Sequence, residues 1–129
     1  EAVRAAAARS AAHGPNAGLW AVEREPDGRP FRWTAEAAAY RIDAPGGRRL
    51  LGLPVKNARP DSESVTLTVY WNDTMRGAVE LPHGGWKALR LAIEGPGVLR
   101  LVPGRTFLPL SRTDGRRLGI ETGPPVVGP

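Results

Sequence analysis

Residues 64–93, SVTLTVYWNDTMRGAVELPHGGWKALRLAI, decide the fold class of this chain. Val65, Leu67, Val69 and Trp71 alternate with Thr66, Thr68, Tyr70 and Asn72, the two-residue period of a strand buried on one face. Asn72-Asp73-Thr74 supplies turn chemistry, and Ala78-Val79-Glu80-Leu81 runs back. Pro82-His83-Gly84-Gly85 reverses the chain again, and Leu89, Leu91 and Ile93 then alternate with Arg90 and Ala92. The stretch reads as a three-stranded meander whose apolar face needs a second sheet over it. The expectation is an all-β, two-sheet antiparallel β-sandwich, jelly-roll-like, with Leu51, Leu53, Leu67, Val69, Trp71, Leu89 and Leu91 in its core.

Working outward, further extended segments flank the meander. Toward the start lie 19–23, 31–34, 38–43 and 49–57; toward the end lie 98–102, 106–110 and 117–122. Turn signals such as Pro26-Asp27-Gly28-Arg29-Pro30 and Pro45-Gly46-Gly47 separate them. Pro54, inside 49–57, predicts an edge strand or a bulge. Eight or nine short strands at this spacing follow a sandwich rhythm. Residues 1–18, opening EAVRAAAARSAAHGP, read as an alanine-rich helical linker. That stretch has no apolar stripe, so deleting 1–12 should leave the melting temperature nearly unchanged. Residues 19–122 form the sandwich domain, and the Pro/Gly-rich segment 123–129 reads as a loose tail.

At 129 residues the chain has one domain's worth of sequence and can bury a core without staples. It has no cysteine, so no disulfide or thiolate metal site is available. No run reaches the roughly 18 apolar residues a membrane helix needs, so no direct membrane insertion is expected. The chain begins at Glu1 rather than methionine, as a processed protein or an excised fragment would. Its net charge of +5 comes mostly from arginines spread one per strand or turn, and Lys56 and Lys87 are the only lysines. Dispersed cations without a nucleic-acid motif argue against a nucleic-acid partner.

Candidate chemistry is sparse. His13 and His83 lack further ligands at zinc spacing and lack a nucleophile to activate. The aspartates Asp27, Asp61, Asp73 and Asp114 fall in turn-like sequence, where a short carboxylate caps its own backbone. Asp27 and Asp114 are weak candidates for calcium; no cofactor and no catalytic residue is indicated. The aromatics carry more. Trp33 and Trp71 have the parity of core residues, whereas Trp86 and Tyr70 fall on the opposite parity to their strands' apolar sets. A ring left free beside Arg90 and Asn72 could stack on a sugar and hydrogen-bond its hydroxyls, or anchor a protein interface; a bend at the strand start would instead tuck Trp86 under an edge. Trp86, Tyr70, Arg90 and Asn72 are thus the candidate ligand-binding residues.

Asp27-Gly-Arg-Pro-Phe-Arg-Trp-Thr34, the meander closing in Gly85-Trp86, Arg105-Thr-Phe-Leu-Pro109 and Arg116-Arg-Leu-Gly-Ile120 occur in this order in one type of bacterial accessory domain. In these motifs the chain resembles, over residues 19–122, the carbohydrate-binding-like β-sandwich attached to envelope glycosyltransferases and polysaccharide-assembly membrane proteins, generally after their last membrane helix. The resemblance implies a non-catalytic, extracytoplasmic (periplasmic or cell-surface) module whose partner is a glycan or the parent membrane enzyme. A structural subunit that self-assembles into a surface layer or filament is the alternative, and an enzyme of unknown type ranks third. A reading frame extending upstream through membrane helices would favour the accessory domain; a signal peptide directly before Glu1 would favour the subunit.

Overall fold

The structure is a computed structural model and describes residues 17–109 and 116–129. The expected helix over 1–12 and the calcium candidate Asp114 lie outside the described residues. Ten strands form, β1 (Glu23–Arg24), β2 (Pro30–Trp33), β3 (Ala38–Ile42), β4 (Arg48–Lys56), β5 (Val65–Trp71), β6 (Thr74–Leu81), β7 (Lys87–Glu94), β8 (Gly97–Pro103), β9 (Glu121–Thr122) and β10 (Val126–Gly128). One sheet runs β1-β2-β9-β4, with β7 on the other edge of β4 and β10 beside β4 beyond β9; the second runs β3-β8-β5-β6. Every pairing is antiparallel. The chain switches sheet at every connection except β1–β2, β5–β6 and β9–β10. This is a two-sheet antiparallel sandwich with the wrapping of a jelly roll.

Alternation places the core. Leu51, Leu53 and Val55 from β4 meet Val65, Leu67, Val69 and Trp71 from β5, with Leu99, Leu101 and Ile120 completing the cluster. Five of the expected core residues are buried; Leu89 and Leu91 are only half-buried, because β7 is an edge strand. Two buried hydroxyls, Tyr40 Oη and Thr122 Oγ1, hydrogen-bond across the core and satisfy each other. Trp71-Asn72-Asp73-Thr74 is a two-residue hairpin with φ of 48° and 67° at its centre, the left-handed pair of a type I′ turn. Gly18, at φ 72°, lies so close to the backbone of Ala37 that a Cβ there would overlap the Ala37 carbonyl.

Four expectations need correction. The meander is a hairpin only: β6 pairs with β5, but β7 crosses to the other sheet and pairs with β4 along its whole length. The alternation of Leu89, Leu91 and Ile93 suits either position, since both face the same core. Pro54 lies in an interior strand, not at an edge or a bulge. Its carbonyl accepts from Gly123 N–H, so its missing N–H points to the same side. There Gly123-Pro124-Pro125 interrupts the pairing between β9 and β10, and no ladder bond is lost. The 123–129 segment contains β10, which pairs Val126 with Gly52 and Gly128 with Leu50. Finally, 19–23 and the described part of 106–110, residues 106–109, are reduced to single bridges, Leu19 to Thr34 and Phe107 to Leu118, beside the short β1.

Candidate glycan-binding face

Since Leu51, Leu53 and Val55 point inward, Leu50, Gly52, Pro54 and Lys56 line the outer face of the six-stranded sheet. By the same parity β7 turns Ala88, Arg90 and Ala92 outward. Pairing sets Leu50 opposite Ala92, Gly52 opposite Arg90 and Pro54 opposite Ala88, while β10 adds Val126 beside Gly52. Small side chains keep this strip low. At one end stands Trp86, half-buried, its ring edge-on to Phe31 with centroids 6.4 Å apart. Lys56 Nζ lies 5.7 Å from the Trp86 ring centroid, a cation–π contact. A shallow hollow beside the ring is lined by Arg29, Pro30, Pro54, Gly123 and Pro124.

Trp86 rests on a second apolar cluster outside the main core. Phe31, Trp33 and Leu118 are buried in it, with Trp20, Ala58 and Phe107 packed against them. Trp33 and Phe107 meet edge to face at 5.6 Å, and Trp20 Nε1 donates to the carbonyl of Arg117 at 3.0 Å. The sequence placed Trp33 in the core; it is buried, in this outer cluster rather than between the sheets.

Charge is buried beneath the same face. Lys56 Nζ lies 3.5 Å from Glu25 Oε1, and pairing aligns Lys56 with Glu121, which is only 6% exposed. Burial pushes the Glu121 carboxyl up to about 7; Lys56 opposes this, while the charges of Glu25 and Glu23 and a hydrogen bond with Glu25 reinforce it. The parity of Glu121, opposite to the inward Ile120, predicts a residue on a polar face. It does face outward, but it is buried between its cross-strand partners Trp33 and Lys56.

The structure brings together two of the four candidate site residues. Trp86 and Arg90 share the outer face at a separation of four residues, about 13 Å along an extended strand. Tyr70 belongs to the other sheet. Its parity is outward, but its ring packs with Ala37 and Val102 and is 9% exposed, so it offers no open platform. Asn72 serves the hairpin: its Oδ1 accepts from Val98 N–H at 2.8 Å and its own N–H donates to Val98 O. Asp27 accepts from the backbone and side chain of Arg29, and the Arg29 backbone bond is the chief cause of its lowered pKa. Among the described residues, no group of three or more His, Asp or Glu side chains could hold a metal ion. His83 is exposed in the loop between β6 and β7. The contributions of Lys56, Gly52 and Pro54 were missed, although their outward parity in β4 was readable once Leu51, Leu53 and Val55 were set inward.

No protein-family model matches the chain, and no characterised protein matches it by sequence. Solved structures do share its fold. A family 35 carbohydrate-binding module from an environmental isolate superposes with a TM-score of 0.54 at 14% identity, over 87% of each chain. A cycloisomaltooligosaccharide glucanotransferase from a Paenibacillus species, solved with cycloisomaltoheptaose, gives a TM-score of 0.53 at 12% identity. A cycloalternan-forming enzyme from Listeria monocytogenes, solved with a pentasaccharide substrate, gives 0.50 at 18%. The chain is 86% covered in both, but spans only 16% and 11% of those enzymes. At these identities the likeness defines the class of fold: that of a carbohydrate-binding-module sandwich.

Proposed function

We propose that this domain is a non-catalytic, carbohydrate-binding accessory module of bacterial cell-envelope glycan assembly, working outside the cytoplasm. The observation that carries the reading is Trp86, a supported indole at the end of a low sheet face. Phe31 holds the ring edge-on, and Lys56 and Arg29 stand close by with donors. A sugar ring stacks its C–H face on such an indole, and its hydroxyls accept from the neighbouring cations. Gly52, Pro54 and Ala88 leave room for a chain to continue toward Arg90. The fold shared with a family 35 carbohydrate-binding module supports the reading.

Little surface would be covered on so open a face, so binding is weak, with a millimolar dissociation constant on the order of −4 kcal/mol. The test is a titration of envelope-type oligosaccharides followed by tryptophan fluorescence or NMR, with Trp86→Ala as the control. A saturable response that Trp86→Ala removes supports the assignment. No response to any sugar, or one that survives Trp86→Ala, removes the site.

A further inference from the structure

The open side of the sandwich, where edge strands β6 and β7 approach each other, holds a second site. In β6 the register slips by one residue: Gly77 pairs with Val69 and Met75 with Tyr70, leaving Arg76 as the extra residue of a bulge. Gly77 occupies an inward position with no side chain to fill it. The result is a cavity of about 120 Å³ reaching into the core, lined by Leu51 and Leu53 from β4, Val69 from β5, Val79 from β6 and Leu89 and Leu91 from β7. Apolar cavities only slightly larger, about 150 Å³, accept a benzene-sized guest, and this one is open at the sheet edge so that a chain can enter. Arg76 and Arg90, both exposed, stand at its mouth, and Leu99 from β8 adds to the apolar wall. Arg76 donates to the carbonyl of Ala92 at 3.1 Å across the gap between the sheets. Neither arginine forms an ion pair among the described residues.

An apolar void beside two guanidiniums without carboxylate partners has a complementary ligand. We propose that this cleft binds a small anionic amphiphile, its apolar chain entering between the sheets and its phosphate or carboxylate meeting Arg76 and Arg90. Burial of the chain supplies the binding energy, and the arginine pair selects the sign of the head group. The site opens between the sheet edges, whereas the Trp86 ring lies on the outer face. The two readings share Arg90 at the β7 edge and no other residue, so Trp86→Ala, which removes the sugar platform, leaves this cleft unchanged.

The test is a methyl NMR titration of the full chain with hexyl phosphate, hexyltrimethylammonium and inorganic phosphate as separate probes. Hexyl phosphate is expected to shift the methyl signals of Leu53, Val69 and Leu89 saturably, at least tenfold more tightly than either other probe. Replacing Arg76 and Arg90 together by glutamine should weaken hexyl phosphate at least tenfold. Val79→Trp, at a position 39% exposed and therefore tolerant, should block the cleft while the remaining spectrum stays native. Retention on phosphatidylglycerol vesicles, lost in Val79→Trp, would assign the amphiphile to a lipid; hexyl phosphate binding without retention would assign it to a free molecule. Equal response to both hexyl probes, a response to inorganic phosphate alone, or shifts that survive Val79→Trp would overturn the proposal.

Discussion

The two outer faces of the sandwich are built by the same alternation and end differently. On the four-stranded sheet the outward Tyr70 is closed over by Ala37 and Val102, and Arg100 beside it is 8% exposed and paired with Asp73. On the six-stranded sheet the outward row is Gly52, Pro54, Ala88 and Arg90, ending at a half-buried Trp86. Parity decides which face a residue takes, and the neighbouring loops decide whether that face is covered. Around Tyr70 the outer face has become a packing layer, while the strip from Trp86 to Arg90 remains a surface.

The sharpest break of this contrast compares indoles. Trp71, 8% exposed between the sheets, should cost about 3–5 kcal/mol on truncation to alanine, the range for large core aromatics. Trp86→Ala should cost clearly less in the same urea denaturation series, since its ring is only partly buried. Equal losses would mean that the outer face is as closed as the core.

The next effect is electrostatic. Glu121 has its folded pKa raised to about 7 against an ordinary value of 4.5, so the folded state binds the extra proton. Stability is therefore greatest below about pH 4.5 as far as this group is concerned, and falls as pH rises toward 7. Glu121→Gln keeps the shape without the charge, and should stabilise the protein by about 1–3 kcal/mol at pH 8 and hardly at all at pH 4. Thermal melts at the two pH values check it; the same gain at both would point to packing rather than ionisation.

Binding gives the smaller effects. Trp86→Ala should weaken an oligosaccharide at least tenfold, about 1.4 kcal/mol, whereas Tyr70→Leu on the covered face should change it less than twofold. Arg90→Gln, some four residues along the strip, should weaken longer oligosaccharides about threefold, the scale of one net hydrogen bond, and leave a monosaccharide untouched. If Tyr70→Leu matters more than Trp86→Ala in calorimetry, the two faces have been assigned in the wrong order.

These contrasts show how far the sequence reads. The two-residue period was sufficient for the sandwich, for the burial of Leu67 and Leu53, and for Trp86 and Arg90 leaving the core on one side. It was silent on the crossing of β7, because an inward leucine faces the same core from either sheet. It could not show β10, since backbone pairing between Val126 and Gly52 requires no side-chain pattern. Nor could it show that Tyr70 is covered and Glu121 buried. Both have outward parity, and both are enclosed by residues distant in the chain: Val102 packs with the first, and the second lies between Trp33 and Lys56 on the neighbouring strands. Asn72 looked like a hydrogen-bonding group for a ligand, whereas its side-chain oxygen and its backbone N–H are both taken by Val98 at the turn.

The place of β4 has a consequence for how the chain reaches this state. One edge of β4 is filled by β7 and the other by β9 and β10, so its partners come from two remote parts of the chain. The β5–β6 hairpin with its type I′ turn needs only local closure and can form within microseconds. The β4 ladder waits for closures of high sequence separation, which are slow. Until residues 121–128 arrive, β4 presents an unpaired edge beside Leu51, Leu53 and Val55, an invitation to pair with another chain. Folding yield should therefore depend on concentration, with losses tracking how long that edge stays open.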